Sequence, residues 1–281
     1  MVVHTQKDSL VQALSSKYKN DSIGFVPTMG ALHQGHISLI NKALSENEIV
    51  VVSIFVNPTQ FNNASDLQKY PRTPQKDISL LETLNGEIIL YLPEISDVYE
   101  DTVAAQNFNF GGLEFEMEGK HRQGHFDGVG TVVSKLFKIV KPTNAYFGEK
   151  DFQQLQIVKK LVEIENLPVN VVGCPILREE NGLAMSSRNK RLSNQQFKDA
   201  ATIYQVLKEV QAVFSDKSIA EINALVTERF LQNANLKLEY FEIANEDTLK
   251  TATTKKEGIN YRAFIAVFAG EIRLIDNISL N

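Results

Sequence analysis

The sequence predicts an α/β protein built on an open, doubly wound parallel sheet and completed by a smaller α+β module. Two observations lead to this fold class. Through the first two-thirds of the chain, short runs of β-branched residues alternate with segments whose apolar residues recur at helical spacing. After Leu192 the order changes to two helical segments followed by strands of alternating polarity. The first pattern is typical of βαβ units, in which parallel strands are buried on both faces.

Five apolar runs give the predicted strands of the parallel sheet, and four helical segments lie between them or border them. The strands are predicted at 23–26, 49–56, 88–92, 145–148 and 169–174. The helices are predicted at 37–44, around 78–84, at 129–140 and at 151–165. Because ligands of such sheets bind beyond the carboxyl ends of the strands, the residues that follow each run are candidates for a site.

The C-terminal third is predicted to form a separate α+β module. Ser193 is the expected N-cap of a helix, with Gln196 in the capping-box position. Helices are predicted at 197–214 and 219–232, and strands at 236–244, 262–268 and 272–275, with a hairpin turn at Gly270. We therefore predict a nucleotide- and substrate-binding domain over 1–176 and a lid domain over 177–281.

Composition excludes several classes of protein. The formal net charge of −5 argues against a general nucleic-acid binder, which needs an excess of basic residues. Cys174 is the single cysteine, so an internal disulfide and a cysteine-based metal site are impossible. No apolar segment is long enough to span a membrane, and the first ten residues lack the apolar core of a signal peptide. The expected location is the cytoplasm.

The most informative segment is PTMGALHQGH, residues 27–36, which joins the first predicted strand to a helix. It brings His33 and His36 to a helix N-terminus, where unpaired N–H groups and a partial positive charge suit a phosphate. Imidazoles there can donate hydrogen bonds to a phosphoryl group as its charge redistributes. Two ordinary surface histidines are the alternative, but the flanking glycines at a strand-to-helix junction favour phosphate chemistry.

Two further segments follow strands. In FVNPTQF, residues 55–61, Asn57 and Gln60 could bind hydroxyl or carboxylate groups without adding charge, although a simple turn explains the segment equally well. In FGEKDFQQ, residues 147–154, Lys150 can neutralise phosphate and Asp151 can bind a ribose hydroxyl or a hydrated Mg²⁺. An ordinary first helical turn is the alternative there, and the strand-end position favours function.

Two loops complete the set. The basic side chains of EGKHRQGHF, residues 118–126, are expected in a loop, and simple solvation is the favoured explanation for Lys120 and His121. Ser186, Ser187 and Arg188 lie in sequence within residues 178–189 and could clamp a polyphosphate. A plain linker between domains is the alternative.

Taken together, these segments resemble the pantothenate synthetase (pantoate–β-alanine ligase) family of the nucleotidyltransferase superfamily. The carrying motifs are PTMGALHQGH, FVNPTQF, YPRT, EGKHRQGHF, FGEKDFQQ and LAMSSRN, in this order between residues 27 and 189. The resemblance implies a Rossmann-like first domain and a cytoplasmic homodimer. It also implies ATP-dependent condensation of pantoate with β-alanine, with Mg²⁺ and through a non-covalent pantoyl adenylate, on the route to coenzyme A.

The resemblance also implies roles for individual residues. His36, His33, Lys150 and Arg188 match catalytic positions, and Gln60 and Gln154 match the ligands of pantoate and β-alanine. The implied ATP-binding positions are Met29, Gly30, Ala31, Leu32, His33, Gln34, Gly35, His36, Gly148, Glu149, Lys150, Asp151, Leu177, Met185, Ser186, Ser187 and Arg188. Positions at the rim of the site are matched by Asn57, Tyr70, Asp77, Arg122 and His125.

Three positions depart from the family pattern. Gln123 stands where the family often has proline, Asn181 replaces a common aspartate, and Lys138 replaces a common asparagine. None removes a group that is expected to touch substrate.

Other functions remain open at this point. Another adenylyl- or cytidylyltransferase of the superfamily would share the histidine pair but need not carry Gln60 and Gln154 together. A fragment of a class I tRNA synthetase would need a basic surface for tRNA, which is not evident. A nucleotide-sensing module would not need the histidines at all. Release of pyrophosphate that requires pantoate separates these alternatives.

Overall fold

The structure is a computed structural model that describes residues 1–61, 67–68, 70–99 and 102–281. It divides into two compact units. The first comprises Met1–Glu149 and Gln154–Pro175, and the second comprises Lys150–Gln153 and Ile176–Asn281. The single boundary after residue 176 remains a prediction.

Within the described part of the first unit, six strands form one parallel sheet in the order β1-β4-β3-β2-β5-β6. The strands are β1 (Val2–His4), β2 (Ile23–Thr28), β3 (Ile49–Ile54), β4 (Ile88–Tyr91), β5 (Asn144–Gly148) and β6 (Asn170–Cys174). The chain proceeds from β2 outward through β3 to β4 and then returns to place β5 on the other side of β2. The carboxyl ends of β2 and β5 therefore form the switch point at which such sheets bind ligands.

Helices cover both faces of this sheet. They are α1 (Lys7–Ser16), α2 (Gln34–Glu46), α3 (Pro74–Leu81), α4 (Ile95–Tyr99), α5 (Glu118–His121), α6 (His125–Val140) and α7 (Phe152–Ile164). Side chains alternate between the faces along each strand, so Phe25 and Val51 pack in one core with α1, α6 and α7. Val26 and Val52 pack in a second core with α2 and α3. This arrangement confirms the predicted doubly wound α/β class.

The second unit has its own core, in which two helices cover a three-stranded antiparallel sheet. Its elements are α8 (Asn194–Val213), α9 (Ile219–Leu231), β7 (Leu236–Asn245), β8 (Tyr261–Ala269) and β9 (Ile272–Ser279). The predicted capping box is confirmed, because Ser193 and Gln196 each accept a backbone N–H of the other.

The structure corrects several predicted bounds and adds elements that were not predicted. β1 and α1 were not predicted, and neither was the short helix α4. The helix predicted from residue 129 begins at His125, and the strand predicted to end at residue 275 continues to Ser279. The strand predicted to reach residue 56 ends at Ile54 and is followed by a 3-10 turn, Pro58–Gln60. No helix in the described ranges is long and apolar enough to cross a membrane.

We expect Cys174 to be unreactive in the folded protein. Its side chain is buried at the end of β6, and burial raises the pKa of the thiol to about 11. At pH 8 only about one molecule in a thousand then carries the nucleophilic thiolate. Alkylation by iodoacetamide, followed by intact mass, should therefore proceed only as the protein unfolds in denaturant. Stoichiometric labelling of the folded protein within minutes would contradict this.

Candidate active site

A tight turn after β2 brings the backbone of the histidine segment to the sheet edge. Gly30 and Ala31 both have positive φ, at +80° and +51°. A Cβ on Gly30 would lie 2.9 Å from the Ile54 side chain, so this position requires glycine. Ala31 pays a steric cost in the left-handed region, and the surrounding hydrogen bonds must offset it.

Asp77, at the start of α3, provides those hydrogen bonds. Its buried carboxylate accepts the N–H of Ala31 at 2.9 Å and that of Leu32 at 2.8 Å, and it also accepts the Thr73 hydroxyl at 3.1 Å. Bonds to a charged acceptor are stronger than neutral ones. The sequence placed Asp77 at the rim, whereas the structure shows that it holds the turn in its unusual conformation.

His33 and His36 form a capping box at the start of α2. The Nδ1 of His33 accepts the N–H of Gly35 at 3.1 Å, and the Nδ1 of His36 accepts the N–H of His33 at 3.3 Å. The rings stand 4.1 Å apart, centroid to centroid. An Nδ1 that accepts a hydrogen bond carries no proton, so each neutral ring bears its N–H on Nε2. The cap therefore sets both histidines as Nε2–H donors.

Gln60 ends the 3-10 turn after β3 and is held by its side chain. Its Oε1 accepts from Asn57 Nδ2 at 3.2 Å, and its Nε2 contacts Met29 Sδ at 3.0 Å. The structure therefore brings the predicted pantoate ligand against the histidine segment. Gly128 in α6 makes this packing possible, because a Cβ there would lie 2.4 Å from the Thr59 carbonyl oxygen.

The main chain of Gln60 is held by His125, the first residue of α6, and by Arg122, which precedes this helix. Its carbonyl accepts from His125 Nδ1 at 2.9 Å and from Arg122 Nη2 at 3.3 Å, while Arg122 Nη1 lies 3.1 Å from His125 Nε2. Arginine can only donate, so His125 is the neutral Nδ1–H tautomer. The loop predicted around residues 118–126 is thus partly helical and supports Gln60. Lys120 and His121 are exposed, and Lys120 Nζ lies 3.1 Å from the Glu116 carboxylate. Simple solvation of these two side chains stays a prediction.

Other predicted residues of the first unit lie at separate places. Gly148 ends β5 at the switch point, and a Cβ there would meet no atom within 4 Å. Glu149 follows it, and Gln154 is half-buried in the first turn of α7. A cavity of about 520 Å³ also opens beside the turn after β2, and of the predicted site residues its walls include Met29, Gly30 and Asp77. Gln34 is exposed, and Tyr70 is buried with its ring 5.7 Å from that of Phe61.

The remaining predicted residues belong to the second unit. Lys150 lies 3.6 Å from the Asp151 carboxylate, and its carbonyl accepts from Asn277 in β9 at 2.9 Å. The carbonyl of Leu177, whose side chain is exposed, accepts the N–H of Met185 at 3.0 Å. These bonds fix the backbone of two predicted nucleotide contacts within this unit.

The serine–arginine segment is also ordered by local bonds. Ser186 caps a 3-10 turn, Ser187–Arg191, by accepting the N–H of Arg188 at 3.2 Å. Ser187 is buried and Arg188 half-buried. Upstream, Arg178 forms a bidentate ion pair with Asp276, at 2.6 and 3.1 Å. The segment predicted to bind a polyphosphate, Ser186–Arg188, is therefore part of an ordered turn and not a loose linker.

Two of the departures from the family pattern have structural partners. Asn181 donates to the Phe197 carbonyl at 3.0 Å and accepts the Leu183 N–H at 3.1 Å, and an aspartate could make only the second bond. Lys138 forms a 3.0 Å ion pair with Glu165 on the surface. Gln123 is exposed.

Comparison with known proteins identifies the family. The family model described as pantoate-beta-alanine ligase matches residues 2–279. The chain belongs to this family. It is 55% identical to the pantothenate synthetase of Christiangramia forsetii over the full length of both chains, and 57% identical to that of Flavobacterium psychrophilum over 92% of each. The pantoate–β-alanine ligases thus account for the whole chain, including the C-terminal third, and the chain is an enzyme.

Solved structures of the family share the fold. The pantothenate synthetase of Thermus thermophilus superimposes with a TM-score of 0.92 at 38% identity, covering 100% of this chain and 99% of that one. The pantoate–β-alanine ligase of Francisella tularensis, solved with β-γ ATP and β-alanine, gives 0.81 at 38% identity, covering 100% and 98%. The full-length match to the ligases decides against another nucleotidyltransferase, a tRNA synthetase fragment or a sensing module.

Proposed function

We propose that this ligase condenses pantoate with β-alanine, converting ATP to AMP and pyrophosphate through a non-covalent pantoyl adenylate. The observation that carries the proposal is the histidine capping box. Two imidazoles with their protons on Nε2 stand at a helix N-terminus beside the switch point, where a triphosphate is best stabilised. Family membership supports the same reaction.

His33 and His36 are proposed to stabilise the charge that develops as pyrophosphate leaves. A pantoate carboxylate that approaches the α-phosphate meets strong repulsion, and Nε2–H donors reduce it without themselves needing a second proton. Lys150 and Arg188 are proposed to add positive charge on the phosphates. The backbone of 29–36, 148–151 and 185–188, with Leu177, is proposed to complete the ATP site.

Gln60 and Gln154 are proposed to bind pantoate. Neutral amides suit this substrate because its carboxylate must stay reactive, and a strong ion pair would hold it in the ground state. The fixed Gln60 side chain supports the proposal, since positioning supplies much of the rate in a reaction whose nucleophile comes from the substrate.

Magnesium is proposed to enter with ATP. Among the residues that the structure describes, no group of three or more His, Cys, Asp or Glu side chains could hold a metal ion. We propose that the cation is bound chiefly through phosphate oxygens of ATP and water, as Mg²⁺ prefers. When bound, Mg²⁺ would offset phosphate charge.

We also propose that the enzyme is a cytoplasmic homodimer that acts on ATP, pantoate and β-alanine and needs neither nucleic acid nor a membrane. The net charge of −5 supports the absence of a nucleic-acid partner, and the single buried, free cysteine supports a cytoplasmic location. Light scattering after size exclusion tests the dimer, with a mass of twice 31.5 kDa expected.

The reaction order gives the decisive experiment. With ATP, Mg²⁺ and pantoate but no β-alanine, we expect a rapid burst of about one pyrophosphate per site, followed by slow turnover limited by leakage of the adenylate. β-Alanine should then discharge the bound species as pantothenate and AMP. Quenched flow with α-³²P ATP follows both steps, because the label passes from ATP to the adenylate, which forms one for one with pyrophosphate, and then to AMP.

Two outcomes would reject this mechanism. Label recovered on denatured protein would mean a covalent adenylyl enzyme. Absence of a burst before β-alanine arrives would mean a concerted reaction or a different order of binding.

A further inference from the structure

We propose that Tyr99 is a positioning residue for pantoate: together with the Gly128 carbonyl, its hydroxyl holds the Asn57 amide, which sets the end of the Gln60 amide that faces the substrate. Tyr99 lies at the end of α4, outside every motif on which the family resemblance rests. This role rests on the proposed function of Gln60 as a pantoate ligand.

The orientation of the Asn57 amide starts the argument. Asn57 is buried, with 1% of its surface exposed, and its Nδ2 lies 3.1 Å from the Gly128 carbonyl oxygen. A backbone carbonyl can only accept, so the nitrogen of the Asn57 amide must face Gly128. The amide oxygen then faces the Tyr99 hydroxyl at 2.5 Å and the Thr59 hydroxyl at 3.1 Å. Tyr99 must therefore be the donor to Asn57.

The orientation of Gln60 follows from that of Asn57. The second N–H of the Asn57 amide points to Gln60 Oε1 at 3.2 Å, which turns the Gln60 nitrogen toward Met29 Sδ. A thioether is a weak acceptor, so little is lost when a substrate oxygen replaces it. Gln60 therefore offers N–H donors to a carboxylate or hydroxyl oxygen of pantoate. A reversed amide would offer an oxygen and repel the carboxylate.

The surroundings of Tyr99 keep its proton in place. The side chain is 3% exposed, and its ring packs 6.4 Å from that of Phe55. Burial raises the pKa of Tyr99 above its usual value near 10, so the hydroxyl stays protonated through neutral and mildly alkaline pH. Without that donor, the buried Asn57 oxygen would keep, among the described contacts, the Thr59 hydroxyl at 3.1 Å and the long Thr59 N–H contact at 3.4 Å. The Thr59 hydroxyl would itself lose its 2.8 Å contact with the Tyr99 hydroxyl.

The test begins with Tyr99→Phe, which removes one hydroxyl and keeps the ring. We expect the KM for pantoate to rise about tenfold, because the bonds of this hydroxyl to Asn57 and Thr59 are lost, while the KM for ATP changes less than about twofold. Tyr91→Phe is the matched control, since it removes another buried hydroxyl, one bonded to Asp97 at 2.6 Å and not linked to Gln60. It should lower the melting temperature and leave the pantoate KM unchanged.

A double-mutant cycle with Gln60→Ala separates positioning from general damage. Gln60→Ala should itself raise the pantoate KM, and Tyr99→Phe should add nothing in that background, because the hydroxyl acts only through Gln60. If Tyr99→Phe leaves the KM unchanged, or raises it equally with and without Gln60, the positioning role is wrong while the role of Gln60 stands. If Gln60→Ala leaves the pantoate KM unchanged, the proposed pantoate site itself is wrong.

Discussion

Replacement of His36 by alanine is expected to slow pantoate-dependent pyrophosphate release by about a hundredfold or more, the effect of losing one preorganised donor to a transition-state oxyanion. His36 also accepts the N–H of His33, so the alanine variant loses a helix cap in addition to the imidazole. A cap is worth about 1 kcal/mol of stability, which is too little to unfold a domain with a core of this size. Single-turnover release of pyrophosphate under saturating substrates measures the chemical loss.

His36→Gln distinguishes chemistry from capping. Glutamine at the third helical position accepts the N-cap N–H in ordinary capping boxes, so this variant should keep the melting temperature of the parent. It lacks an imidazole Nε2–H and should be nearly as slow as the alanine variant. If His36→Gln released pyrophosphate at the parental rate, the imidazole would not be needed, and either the helix cap or the N–H of the glutamine amide would account for the activity.

The sheet was predictable because its central strands are buried on both faces and therefore appear as continuous apolar runs. β1 was missed because Val2–His4 is a three-residue edge strand with exposed side chains, which leaves too short a signal. The first turn of α6 was missed because Gly128 disfavours a helix. A glycine is needed at position 128 because the Thr59 carbonyl, far away in the sequence, lies close to the helix there. The end of β9 was missed because Asp276 and Asn277 are polar, although both are buried and bonded within the second unit.

In the candidate site, too, local sequence predicted some features and missed those that depend on distant residues. Motifs identified the residues that could meet substrate, because those residues are grouped in sequence after each strand. They did not show how those residues are held in place: Asp77, Arg122 and His125 were expected only at the rim of the site, and Tyr99 was not named. Asp77 binds a turn 45 residues earlier in the chain, and Tyr99 binds Asn57 42 residues earlier. Local pattern carries no information on such pairs, since any buried aspartate or tyrosine would fit the same helix face.

Asp77 therefore gives the second large effect that we expect. In Asp77→Asn, one of the two acceptor positions becomes an NH₂ group, so either the Ala31 or the Leu32 N–H is left buried and opposed by another donor. The loss should be about 2–3 kcal/mol of unfolding free energy, measured by urea denaturation. Because Ala31 would then lose the bonds that offset its left-handed conformation, the turn should also relax and slow adenylation.

Asp97→Asn provides the control that separates these two effects. Asp97 also lies in the first unit and accepts one backbone N–H, from Lys7 at 2.9 Å, together with the Tyr91 hydroxyl, but it supports α1 and not the turn after β2. We expect it to lower stability by a comparable amount and to leave single-turnover pyrophosphate release unchanged in the folded protein. If Asp77→Asn behaved like Asp97→Asn, with stability lost and adenylation intact, the turn after β2 would not need its strained backbone for chemistry. Slower adenylation in Asp77→Asn alone would instead show that the backbone conformation of Gly30–Leu32 is needed for the reaction at the phosphate.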